Sequence, residues 1–389
     1  MAGDQVPVPP GWYSDPFHAG GWRWWDGAAW TTHAAVPVGT AATAAKPRLP
    51  RWLSVPVVVC APLVALALVV LAFVTPLSVL AGVLPLAIVL PTLAWLDRVE
   101  PEPLSSRVHA VLWGAAVAVV VALVVNVSVA AVSGATAAMV VSAPVIEEAM
   151  KALGVVWAVR RGEVDGVVDG VVYAGWVAIG FAAVEDVTYF AEADTASQWV
   201  LIVVLRAVLT PFAHPLFTVW IGIAIGRAVR DGRPLWPHAL WGYALAVGAH
   251  AAWNGSLAIA APDPDTGEGG GAVVLAFVIP LFIALFVAVV VALVKLGRAE
   301  RRRFVGQLPF LVRRYDLSPV EQQWFAGWPQ LLAARRALPR RARRRFDAVH
   351  AALARLALLQ RRLADADPAK EQALADQLAD ARRRLAQLS

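Results

Sequence analysis

Eight stretches of the chain are apolar and long enough, at roughly 20 residues each, to cross a hydrocarbon core as helices. They lie near 55–74, 77–96, 109–132, 135–159, 168–191, 198–226, 236–260 and 272–296. The sixth is overlong and holds Pro211 and Pro215, which predicts one broken or kinked helix rather than two full spans. Loop charge agrees with that count. Lys46, Arg48 and Arg51 precede the first span, and Arg98, Arg107, Arg160, Arg161, Arg227, Arg230, Arg233, Lys295 and Arg298 follow the second, fourth, sixth and eighth. The alternate loops, such as "SGAT" at 133–136 and "EADTASQ" at 192–198, are uncharged or acidic. The positive-inside rule then puts both termini in the cytoplasm, and the expectation is a multi-pass protein of the plasma membrane.

Composition sharpens the class. The 389 residues are 59% hydrophobic and 16% charged, with a mean hydropathy of +0.62, which excludes an ordinary soluble domain and points to an all-α polytopic membrane protein. A single cysteine, Cys60, excludes an internal disulfide framework. The first fifty residues lack the short apolar core of a cleavable signal, so the first span is expected to direct insertion.

Two polar modules flank the spans. Residues 1–33 gather Trp12, Trp22, Trp24, Trp25 and Trp30 among turn signals, with Asp26-Gly27 between aromatic runs, a hairpin signature that predicts a small β-rich unit. Residues 34–54 read as a linker and 55–296 as the transmembrane domain. Residues 297–389 form a basic tail: from 298 on, about 20 Lys and Arg stand against about 9 Asp and Glu. Leu353, Leu356, Leu359 and Leu363, then Leu374, Leu378, Leu385 and Leu388, recur at helical spacing around Asp367-Pro368, which predicts a helical hairpin or a short coiled coil. The run "RRARRRF" at 340–346 suits anionic lipid head groups, or plain solvation, better than nucleic acid.

Ionisable residues inside spans are rare and usually face a water-filled cavity. Here they cluster in four consecutive spans. The fourth carries Glu147, Glu148 and Lys151, so that the lysine can pair with either carboxylate. The fifth carries Glu185 and Asp186 among small residues that allow close helix approach. The sixth carries Arg206 and, between its two prolines, His214; the seventh carries His250 and Asn254, four apart and on one face. Lys151 and Arg206 read as supporting counter-charges. Glu and His make up the ligand set of a catalytic zinc site, with a further carboxylate as base. Without metal, a Glu can activate water while His and Asn stabilise the oxyanion. Both routes lead to hydrolysis. A proton- or ion-coupled transporter is the rival reading of the same residues, although no inverted repeat is apparent.

The ordered motifs "EEAMK" at 147–151, "DGVVYAGWVAIGFAAVED" at 169–186, "RAVLTPFAHPLF" at 206–217 and "HAAWN" at 250–254 resemble those of the PrsW family of intramembrane proteases, which belongs with the CAAX prenyl endopeptidases. "LDRVEPEP" at 96–103 is also family-like. The resemblance implies a site of Glu147, Glu148, Glu185, His214, His250 and Asn254, with Phe181 in the second motif. If zinc is used, its implied ligands are Glu185, His214 and His250; otherwise Glu and His act on water directly. Asp186 departs from the pattern, which commonly has Asn there. The implied substrate is a membrane protein, by family analogy an anti-sigma factor cut near its extracytoplasmic side. At the amino end, "PGWYSDP" and "RWWDGAAWT" resemble a short actinobacterial domain of unknown function.

Overall fold

A computed structural model describes residues 11–14, 22–25, 29–35, 51–97, 102–260, 271–315 and 317–339, with scattered positions beyond. The chain is mostly helical and divides into two units, Met1–Arg48 and Leu49–Ser389.

In the first unit, β1 (Gly11–Ser14), β2 (Trp22–Trp25) and β3 (Trp30–Ala35) pair in antiparallel order, with Gly11 opposite Trp25 and Trp25 opposite Trp30. The packing of Trp12, Trp22, Trp24 and Trp25 lies outside the described side chains. β3 ends at Ala35 and the next described helix starts at Arg51.

The second unit begins with α1 (Arg51–Val74), α2 (Pro76–Ala81), α3 (Leu84–Leu96) and α4 (Leu104–Leu112). There follow α5 (Val119–Ser133), the single turn α6 (Ala135–Ala137), α7 (Ala143–Arg160), α8 (Val167–Ala191) and α9 (Ala196–Val203). α10 (Ala213–Arg230), α11 (Leu235–Ala260) and α12 (Gly271–Tyr315) complete the membrane part, and α13 (Pro319–Phe325) and α14 (Trp328–Ala337) lie in the tail. Three π-helical turns, Trp113–Ala118, Ala138–Ser142 and Val204–Leu209, join neighbouring helices. After the last of them the chain leaves the helix at Thr210 and Pro211 and re-enters it at Ala213, so the overlong sixth stretch is a broken helix.

Among the described residues, six segments rather than eight are long and apolar enough to cross a membrane: Val55–Val74, Pro76–Leu96, Leu104–Ser133, Val167–Ala191, Ala196–Arg230 and Ala276–Ala299. The expected spans at 135–159 and 236–260 are helical but fall out of that count. Glu147, Glu148 and Lys151 in one, and His238, His250 and Asn254 in the other, dilute their apolar character.

α8 is the axis of the bundle. Of its most apolar 18-residue stretch 83% of the residues are buried, against 6% in the corresponding stretch of α1 and 11% in that of α12. Such enclosure needs close backbone approach, and glycines supply it. Gly170 of α8 meets the backbone of Gly222 on α10, and Gly180 meets the backbone of Val111 on α4, with no room for a Cβ at either. The helix starts cleanly because Asp169 Oδ2 accepts the Asp165 and Gly166 amides at 3.1 and 3.0 Å. Near that end, Arg107 pairs with Asp97 at 2.9 Å and Tyr173 donates to Glu102 at 3.1 Å, tying α4 and α8 to the exit of α3. On α7's other flank, Trp113 Nε1 donates to the Met150 carbonyl at 2.9 Å.

α12 continues past the membrane segment into the tail, where Leu311, Leu317, Phe325, Leu331, Phe346, Val349 and Leu353 form a separate core. Ser318 and Glu321 cap α13 reciprocally, and Arg335 grips Asp347 with two hydrogen bonds of 2.7 and 2.9 Å. Most of the predicted leucine hairpin lies outside the described residues.

The glycine contacts give a paired test. Gly222→Ala is expected to lower stability in detergent by about 1–3 kcal/mol, the usual cost of overpacking. Gly248→Ala on α11, where a Cβ meets nothing within 4 Å, should be neutral or stabilising by about 0.5 kcal/mol. Thermal unfolding of the two variants side by side checks this.

Candidate active site

α7, α8, α10 and α11 each contribute polar side chains to one enclosed cluster. Glu147, Glu148 and Lys151 project from a single face of α7, as their spacing of three and four residues requires. Lys151 and Glu148 are wholly enclosed, and Glu147, His214 and His250 are buried.

Glu148 is saturated. Its Oε1 accepts from Lys151 Nζ at 2.8 Å and from His250 Nδ1 at 3.1 Å, and its Oε2 accepts from the Thr218 hydroxyl at 2.8 Å. A carboxylate so bound fixes the tautomer of His250: Nδ1 carries the proton and Nε2 keeps a lone pair. That lone pair faces Glu147, whose Oε2 lies 3.9 Å away. Glu147 is held more loosely, at 3.5 Å from Lys151 Nζ. The two adjacent glutamates are therefore unequal, one clamped and one available.

His214 sits at the start of α10, just after the break, so its ring reaches across to two other helices. Lys151 Nζ lies 2.9 Å from its Nδ1, and Glu185 Oε2 lies 2.8 Å from its Nε2. An ammonium can only donate, so Nδ1 accepts and Nε2 bears the proton that Glu185 holds. Glu185 also pairs with Arg206, which at the same time pairs with Asp186 and stacks over the Tyr189 ring at 4.1 Å. Asn254 donates to the Met139 carbonyl at 2.8 Å, fastening α11 to the π-turn that precedes α7.

A cavity of about 540 Å³ opens onto this cluster. Glu147, Glu185, His214, His250, Asn254 and Arg206 line it, whereas Glu148 and Lys151 lie behind them and do not. The remaining wall is mostly apolar, with alanines such as Ala122 and Ala143 beside large side chains such as Phe181, Phe217 and Trp253.

Glu147, His214 and His250 each offer one donor atom within 4.8 Å of the others, a group that suits a metal by kind and number. The trio contains Glu147 where the sequence reading has Glu185, because Glu185 is drawn to Arg206 and to His214 Nε2. The surroundings suit a metal less well. Both nitrogens of His214 are engaged, one by Lys151 and one by Glu185, so an ion could reach that ring only by displacing one of them.

Two contacts were not foreseen from the sequence. Thr218 holds Glu148, and Phe217 stacks on His250 with centroids 4.6 Å apart. Both lie within about one turn of His214, three and four residues on, which places them on its face of α10. A hydroxyl and a phenyl ring in an apolar helix carry no separate signal.

Removing Arg206 should expose how far the cluster depends on it. Arg206→Met leaves two neighbouring carboxylates without their cation and is expected to destabilise the protein by about 3 kcal/mol. Adding Asp186→Asn should restore part of the loss, measured by thermal unfolding of the single and double variants.

The same segment has relatives among known proteins. Residues 102–293 match the family described as PrsW family intramembrane metalloprotease, and residues 10–48 match a protein of unknown function, DUF2510. A Protease PrsW of Geobacillus kaustophilus (strain HTA426) is 31% identical over 151 residues, which is 38% of this chain and 65% of that protein. The chain thus spans just under two thirds of the length of that relative. No solved structure matches. The helical segment from 102 to 293 is thus similar to the PrsW family of intramembrane metalloproteases.

Proposed function

We propose that this chain is an intramembrane endopeptidase in which Glu147 is the general base. The observation that carries the reading is the pair of facing acceptors, Glu147 Oε2 and His250 Nε2, 3.9 Å apart at the cavity wall. A water donates two hydrogen bonds, so two acceptors at that separation hold one water with its oxygen lone pairs turned outward. Glu147 takes a proton as that oxygen attacks the scissile carbonyl carbon, and returns it to the leaving amine. Glu148, anchored by Lys151 and Thr218, keeps the His250 ring in the required tautomer. Asn254 has a second amide N–H beyond the one given to Met139, which suits a developing oxyanion. Glu185 and Arg206 hold His214 against the cluster.

In this reading α7 and α11 also cross the bilayer, which restores eight spans, and the basic loops put both termini in the cytoplasm of a cell-membrane protein. The substrate is a membrane protein, and an anti-sigma factor cut near its extracytoplasmic side is the first to try. The tail's arginines suit anionic head groups. An ion-coupled transporter is not favoured, since both comparisons point to proteases.

Glu147→Gln is expected to lower turnover by about 10²–10⁴-fold while leaving the melting temperature close to wild type. The assay is cleavage of a set of single-span membrane proteins reconstituted with the purified enzyme in liposomes. Equal cleavage by wild type and by Glu147→Gln removes Glu147 from this role.

A further inference from the structure

Lys151 is a fully enclosed cation at the centre of the cluster. Its ammonium meets Glu148 Oε1 at 2.8 Å, His214 Nδ1 at 2.9 Å and Glu147 Oε2 at 3.5 Å, one acceptor for each of its three N–H bonds. The Phe181 ring, 4.2 Å away, covers a further side of the ammonium with its negative face. Lys151 is therefore bonded to two of the three groups, Glu147 and His214, that offer themselves to a metal.

A divalent ion shared by Glu147, His214 and His250 needs a lone pair from His214. The Nδ1 lone pair is already given to the ammonium, and in that tautomer Nε2 carries the proton directed at Glu185. An ion at Nδ1 would also stand beside the buried ammonium, and like charges a few ångströms apart in an enclosed site repel strongly. We propose that the Lys151 ammonium is the resident cation of this centre and that it keeps divalent metals out of a donor set otherwise suited to them. The inference concerns the same residues as the proposed protease but does not need proteolysis to be correct. It predicts what replaces the lysine. Without it, Glu147, Glu148, Glu185 and Asp186 are left with Arg206 as their partner cation, and the vacated donors can take zinc.

The test is metal stoichiometry, read independently of cleavage. Wild-type protein, Lys151→Gln and Lys151→Arg are incubated with excess zinc, desalted and analysed for bound metal by mass spectrometry. Wild type and Lys151→Arg are expected to retain far less than one equivalent, and Lys151→Gln about one, the stoichiometry of a single site. That equivalent should be lost again in Lys151→Gln combined with His250→Ala. Where Lys151→Gln does not fold, Lys151→Met serves in its place. A full equivalent in wild type that His250→Ala removes would overturn the proposal. So would a zinc-free Lys151→Gln, because the lysine would then not be what excludes the ion. Cleavage by a zinc-free wild type supports both readings; one equivalent of zinc in a wild type that cleaves overturns this inference and the role of Glu147 as base, while intramembrane proteolysis itself stands.

Discussion

A carboxylate enclosed by apolar helices has to meet a cation or a donor, because desolvating it alone costs several kcal/mol. Four helices of this protein are arranged around that requirement. Lys151 of α7 reaches His214 of α10, His250 of α11 reaches back to Glu148 of α7, and Arg206 binds both acids of α8. α7 pairs its own Lys151 with Glu147 and Glu148, but the acids of α8 and the imidazoles of α10 and α11 find their partners on other segments. The polar cluster is consequently a set of cross-links, and the bonds that orient its side chains also hold the helices that carry it together.

The clamping is uneven, and the unevenness has chemical meaning. Glu148 spends both oxygens on partners, while Glu147 keeps a lighter contact and faces the cavity. Two identical side chains in adjacent positions are separated, one clamped behind the wall and one facing the cavity, by where a helix turn points them. The backbone geometry nearby is irregular in a corresponding way. The π-turn at Ala138–Ser142 sits just before these glutamates, and the one at Val204–Leu209 carries Arg206. An extra residue in a turn rotates the next stretch of helix about its axis, and such turns are common at functional sites.

Much of this was legible in the sequence. Charged residues inside otherwise apolar runs named Glu147, Glu148, Glu185, His214 and His250, and the two prolines located the helix break. Other features were hidden for physical reasons. Thr218 and Phe217 look like any residues of a buried helix, and only the fold brings them against Glu148 and His250. The pairing of Arg206 with both Glu185 and Asp186 depends on a π-turn that no periodicity reports. The count of spans by hydropathy fell to six because a helix rich in functional groups no longer scores as lipid-like.

α12 joins two places that otherwise have nothing in common. Its Ile279 is part of the cavity wall and its Phe282 packs against Phe217, the ring that stacks on His250. The same helix, 45 residues long, carries Leu311 into the core of the tail. At 1.5 Å per residue those two ends stand about 50 Å apart along one continuous rod. Two separate packing cores, the aromatic group of Phe217 and Phe282 and the core of the tail, are therefore anchored on a single helix.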